Sequence, residues 1–404
     1  MALLVTACHG KAARHDEAKH VGSGSAARPT SVVSEVVPHL PPSPDPMELV
    51  AGIDLHVEQL RKEPRANALF VATLLERAGV SGNLEDYQEA LDRTKAWTDK
   101  DPKDPAAWGA RVTALTRVHQ FTDARAALVK LKPLDKEQTA GKLEVSIDEA
   151  TGHLDRVLPV RAATAHDFPS TIHYVEDAAA LTLAGKADEA LGLMPKAVAV
   201  VNDNGPVLFN WLLFTWGRIY ELKGELAAAR QFFAEAHTRL PTLESTVHLA
   251  QTMMATGDRA GAKQLVEAEL AKHRHPELLG LAVGLDHPEL ADEARAAWER
   301  YLKALPLAFS DHAARYYLAA GKDPARALVL AKQNLANRDT HEAHALVVEA
   351  ALAANDPKTA CDAAAPLASP EALRPERFTA WKALSACGRK PEADRLAHDL
   401  GITH

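Results

Sequence analysis

Gly224 and Gly257 stand 33 residues apart, and each separates two runs of residues that are apolar at i, i+3, i+4 and i+7. That period lines the apolar side chains along one face of a helix. A glycine between two such runs ends the first helix in the left-handed conformation. The same punctuation recurs from Met47 onward, at Gly79-Val80-Ser81-Gly82-Asn83, Asp101-Pro102-Lys103-Asp104-Pro105, Gly185, Asn204-Gly205-Pro206, Asn355-Asp356-Pro357 and Gly388. No segment sustains two-residue alternation, so no strand is expected. One short helical hairpin cannot bury its own apolar face, but a stack of hairpins at a fixed period can. The spacing therefore predicts an all-α solenoid.

The clearest unit is 210–243, NWLLFTWGRIYELKGELAAARQFFAEAHTRLPTL. Its first helix carries Trp216, Gly217 and Tyr220, its turn Gly224, its second helix Ala229, Phe233 and Ala236, and Pro241 closes it. In this pattern it resembles the tetratricopeptide repeat. Looser matches are 105–138 (Trp108, Leu115, Ala124 and Leu128, with His119 at the turn), 171–204 (Tyr174, Leu181, Gly185, Ala190, Ala197) and 374–404 (Trp381, Leu384, Gly388, Ala393). Residues 83–100, 258–273, 290–304 and 324–337 read as second helices. The resemblance implies a right-handed superhelical α-solenoid with hairpins over 47–134 and 171–404. Residues 135–170 between them read as an irregular helical insert, either an atypical hairpin or a break between two arrays.

Composition narrows the function. The 404 residues are 47% hydrophobic and 25% charged, so the chain as a whole can fold. A net charge of −8 disfavours a nucleic-acid backbone as partner. No apolar run reaches the roughly 20 residues that span a bilayer. No phosphate loop or nucleophile elbow is present. His341-Glu342-Ala343-His344 lacks the four-residue histidine spacing of a zinc helix. His56-Val57-Glu58 lacks the cysteine pair of a deaminase, and Cys8-His9 lacks the first cysteine of a haem site. His15, Asp16, Glu17 and His20 read as a solvated polar stretch. The expectation is a non-enzyme without metal, cofactor or evident small-molecule substrate, whose partners are proteins.

The resemblance also implies where a protein segment would bind. In that family the stacked first helices line a concave groove. The matching positions are Trp211, Phe214, Arg218 and Glu221, then Val247, Gln251 and Met254, then Arg315. Aromatic, Met and Arg side chains are common interface anchors. The alternative is that 210–220, apolar nearly all round, is simply buried.

The chain opens MALLVTACHG, and Val5-Thr6-Ala7-Cys8 is similar to the box that precedes the lipidated cysteine of bacterial lipoproteins. That resemblance implies acylation of Cys8 and a signal-peptide remnant over 1–8. Residues 9–46, polar then Pro-rich, would form a flexible tether, and the array would sit on the periplasmic face of the outer membrane. Only seven residues precede Cys8 and none is basic, so this reading expects a start further upstream. The alternative is a cytosolic adaptor without an anchor. If the chain is exported, Cys361 and Cys387 fall on helices that pack together in the resembled fold and are a possible disulfide; otherwise they are two buried thiols.

Overall fold

The computed structural model describes residues 33, 40, 42, 45–63, 67–202 and 205–402. Cys8 and the 15–20 cluster lie outside them. The described residues hold 21 α-helices and no strand. Helix α1 (Pro46–Arg61) is followed by ten antiparallel hairpins: α2–α3 (Asn67–Ser81, Leu84–Lys100), α4–α5 (Pro105–Arg117, Phe121–Leu131), α6–α7 (Thr139–Ala150, Leu154–Asp167), α8–α9 (Thr171–Leu183, Ala187–Ala199), α10–α11 (Pro206–Leu222, Leu226–Arg239), α12–α13 (Leu243–Ala255, Arg259–Leu270), α14–α15 (Pro276–Gly284, Ala291–Ala304), α16–α17 (Pro306–Leu318, Pro324–Asn337), α18–α19 (His341–Ala353, Pro357–Ala363) and α20–α21 (Arg374–Ala386, Lys390–Leu400). Each hairpin packs on the next, so the described residues form an all-α solenoid of helical hairpins. Residues 135–170 are an ordinary hairpin, α6–α7, packed against α5 on one side and α8 on the other, and the stack is continuous through them.

The caps follow the sequence. Asp45, Asn83, Asp104, Asp258, Asp323 and Asp356 each cap a helix by accepting a backbone N–H, and proline begins seven of the helices. His119 adopts φ 57° where the other hairpins place Gly185 at 76° and Gly224 at 82°, so it fills the glycine's role at the turn. Gly217 acts differently, because a Cβ there would lie 2.7 Å from the Phe233 ring. The missing side chain lets α10 and α11 close over a core of Phe209, Trp216, Phe232 and Phe233, in which Trp216 and Phe232 stack at 4.8 Å. Leu40, within the 9–46 stretch, is buried against the same core.

The stack also folds back on itself. The turn of α2–α3 meets α15: Tyr301 donates its hydroxyl to the Gly82 carbonyl at 3.3 Å, and Arg300 pairs with Glu85 at 3.1 Å. Leu84 and Val118 join Tyr301, Leu305 and Ala308 in one apolar cluster. Asn337 donates to the His119 carbonyl at 2.9 Å. Further along, Gly152 faces the carbonyl of Asp339 and Gly185 that of Glu371. Four successive hairpin turns of the first half thus rest on the second half.

Candidate functional site

Where the first half rests on the second, the two halves border a central cavity of about 140 Å³. Its apolar wall includes Leu75, Val80, Trp211, Phe214, Leu243 and Phe309. Its polar wall gathers Tyr87, Arg117, Glu244, Glu277 and His312 from five helices. Arg117 and Glu244 keep some accessible surface although protein surrounds them, and the cavity receives it.

The charges in and around the cavity are unevenly partnered. His312 bonds Glu277 through Nδ1 at 2.6 Å and sits beside Asp311, which pairs with buried Arg338. Burial opposes its charge, but Asp311 and Glu277 raise His312 to about 9. Glu221 pairs with His248 and Arg218 at the neighbouring end of α10; burial would raise it, yet these two partners hold it down at about 2. Burial pushes Glu244 up to about 7 against the fields of His312, Arg117 and Arg218, and pushes Tyr87 up to about 12. Arg117 is lowered by burial and feels Tyr87 and Glu244, but makes no hydrogen bond or ion pair among the described residues.

A histidine raised in the folded state stabilises it fully below the unfolded value near 6.5, and that stability is lost as pH rises through about 9. Glu244 acts in the same direction at lower pH, since its folded-state proton is lost as pH rises through about 7. Stability should therefore fall between neutral pH and about 9. Arg315, Glu244, Glu277, Asp311, His119 and His275 all bear on His312. Denaturant titrations of the wild type and His312→Gln across that range test its share: the variant should show a flatter decline, and an unchanged slope would contradict the assignment.

The residues expected to line an open groove are divided by the fold. Trp211 and Phe214 are 5% and 2% exposed and line the central cavity. Arg218 is buried in its pair with Glu221. Arg315 bonds Glu342 at 2.9 Å, and Val247 is buried. The reason is self-occupation: Gly82 lies against Leu243, Val80 packs with Leu240 and Val207, and Leu75 lines the same cavity as Trp211, where a partner segment would have entered. Gln251 is half-buried, and Met254 borders a second, shallower depression of about 710 Å³. Leu281, Val283 and Tyr316 contribute its apolar part, and exposed Asp292, Arg295 and Lys322 its charged part.

Elsewhere, His341 sits 3.4 Å from Glu376, while His344 bonds Asp339 and the Ala363 carbonyl, so the two histidines do not converge. His56 is exposed. Cys361 and Cys387 are joined sulfur to sulfur, with Cα atoms 6.1 Å apart. No helix among the described residues is long and apolar enough to cross a membrane.

No family model and no curated protein matches the chain. Solved structures it is similar to include the APC/C hetero-tetramer Cut9–Hcn1, at 15% identity and a TM-score of 0.47, covering 91% of this chain and 68% of that one. Another is the human IFIT1 dimer with PPP-AAAA, at 16% identity and 0.45, covering 78% and 76%. A third is Naa15/Naa10 bound to HypK-THB, at 13% and 0.31, covering 88% and 68%. Nothing about this chain's partners rests on these distant likenesses.

Proposed function

We propose that this chain is a non-catalytic scaffold that holds a segment of a partner protein on its outer surface, anchored to a bacterial envelope membrane through Cys8. The observation that carries the scaffold reading is the depression between α12, α14, α15 and α16. Met254, Leu281 and Val283 give it apolar surface for an anchor side chain, and Asp292, Arg295 and Lys322 supply charged groups beside it. An apolar centre with a polar rim is the usual anatomy of an interface between separately folded proteins. The bridge between Cys361 and Cys387 favours the anchored reading over a cytosolic adaptor, because such bonds persist in oxidising compartments.

A photo-crosslinking side chain placed at Lys322 in the native host should yield one discrete adduct, and the same group at exposed Val329 should not. Equal labelling from both positions, or none from either, would count against the scaffold. The anchor is read separately, from the mass of the N-terminal peptide expressed with its natural upstream sequence. A fragment beginning at acylated Cys8 supports it, and an unmodified Met1 or Ala2 refutes it.

A further inference from the structure

We propose that the central cavity binds a small organic carboxylate with an aromatic body, its carboxylate on Arg117 and its ring among Trp211, Phe214 and Phe309. This site is separate from the surface depression and does not depend on the scaffold reading.

Arg117 ends α4, lines the cavity, and makes no hydrogen bond or ion pair among the described residues. Its guanidinium borders the cavity with no protein group bonded to it, and a charge so placed beside apolar walls gains from an anion brought next to it. A ligand anion would supply the missing charge. The fork of a guanidinium matches the two oxygens of a carboxylate. The surroundings favour one negative charge over two, because Glu244 and Glu277 share the cavity. Burial raises Glu244 to about 7, which favours its protonated form, and that form can donate to a carboxylate oxygen.

The other wall sets the body of the ligand. Trp211 and Phe214 of α10, Tyr87 of α3 and Phe309 of α16 all line the space, with Tyr87 and Phe309 edge to face at 6.4 Å. Aromatic rings in such a wall favour an offset or edge-on ring between them. A cavity of about 140 Å³ holds on the order of ten waters, and so a molecule of about ten non-hydrogen atoms. Phenylacetate has this size, this charge and this shape.

Titration calorimetry of the full chain with phenylacetate, and with neutral phenylacetamide, tests the site. The wild type should bind phenylacetate saturably at one site and phenylacetamide more weakly. Arg117→Met should weaken phenylacetate roughly tenfold or more, since it removes charge-assisted hydrogen bonds, and should leave phenylacetamide unchanged. The variant should melt no lower than the wild type, because it removes a charge that no protein hydrogen bond or ion pair holds; a purely structural role predicts the reverse. Arg117→Lys keeps the charge and loses the fork, so intermediate binding is expected should the methionine variant fold poorly. Equal phenylacetate affinity in the wild type and both variants, or no saturable heat in the wild type at millimolar phenylacetate, would overturn the proposal.

Discussion

Gly152→Ala and Gly185→Ala are each expected to loosen one turn of the solenoid from the other. Both glycines adopt positive φ, 88° and 76°, and both face backbone of the second half. A Cβ at Gly152 would lie 2.1 Å from the Asp339 carbonyl oxygen, and one at Gly185 would lie 1.9 Å from that of Glu371. Neither obstacle is a flexible side-chain end, so the two halves must separate or the loops must shift. The left-handed conformation alone costs a side chain about 1–2 kcal/mol. Displacing packed backbone adds to that, and a total of about 3 kcal/mol or more is expected. Gly224→Ala is the internal control. Its φ is 82°, but a Cβ there would meet nothing within 4 Å, so only the conformational cost should appear. Urea unfolding of the three variants separates the cases. Equal losses at all three positions would mean that the close approach between halves does not exist.

Removing the bridge between Cys361 and Cys387 should have a comparable effect, focused at the C-terminus. The two cysteines are 26 residues apart, and closing a loop of that size restricts the unfolded chain by about 3 kcal/mol on the chain-entropy account. The bond ties the seven-residue helix α19 to the end of α20. The last hairpin of a stack has a neighbour on one side only, so it has the least packing to fall back on. Reductant, or Cys361→Ala with Cys387→Ala, should lower stability by about that amount and expose 357–402 to protease first. Protein unfolded without reductant should offer no free thiol from either residue. Two reactive thiols, or a stability unmoved by reductant, would show that the chain carries no bridge.

The difference between what the sequence shows and what the structure adds is one of range. Helices, turns and the hairpin unit are local, and residues 210–243 spell them within one window. Gly224 ends a helix whatever lies elsewhere, and Gly217 is demanded by Phe233 only 16 positions away. Even His119 was legible, because its place in the repeat is the place of a turn glycine. Residues 135–170 were less so: the turn of α6–α7 has its glycine, Gly152, but the repeat's aromatic landmarks are missing. The closure of one turn on the next had no signature in the unit itself. Gly152 and Gly185 look in sequence like any other turn glycines, and only their neighbours 187 and 186 residues away distinguish them from Gly224. For the same reason Trp211 and Phe214 read as groove anchors. Their covering segment, Leu75 to Gly82, comes from the far end of the array. Arg117, Glu244, Glu277 and His312 span nearly 200 residues and belong to four hairpins, so no local motif could have joined them.

The first and second halves of the solenoid rest on each other and so border the cavity. The most direct test is a distance measured by pulsed electron spin resonance between nitroxides at residues 85 and 300, both exposed and paired across the contact at 3.1 Å. Cys8 would be replaced beforehand and the Cys361–Cys387 bridge left intact. One short, narrow distance distribution is expected, and it should broaden and lengthen in Gly152→Ala or Gly185→Ala. A long or broad distribution in the otherwise unaltered chain would contradict it and leave an open solenoid with no central cavity.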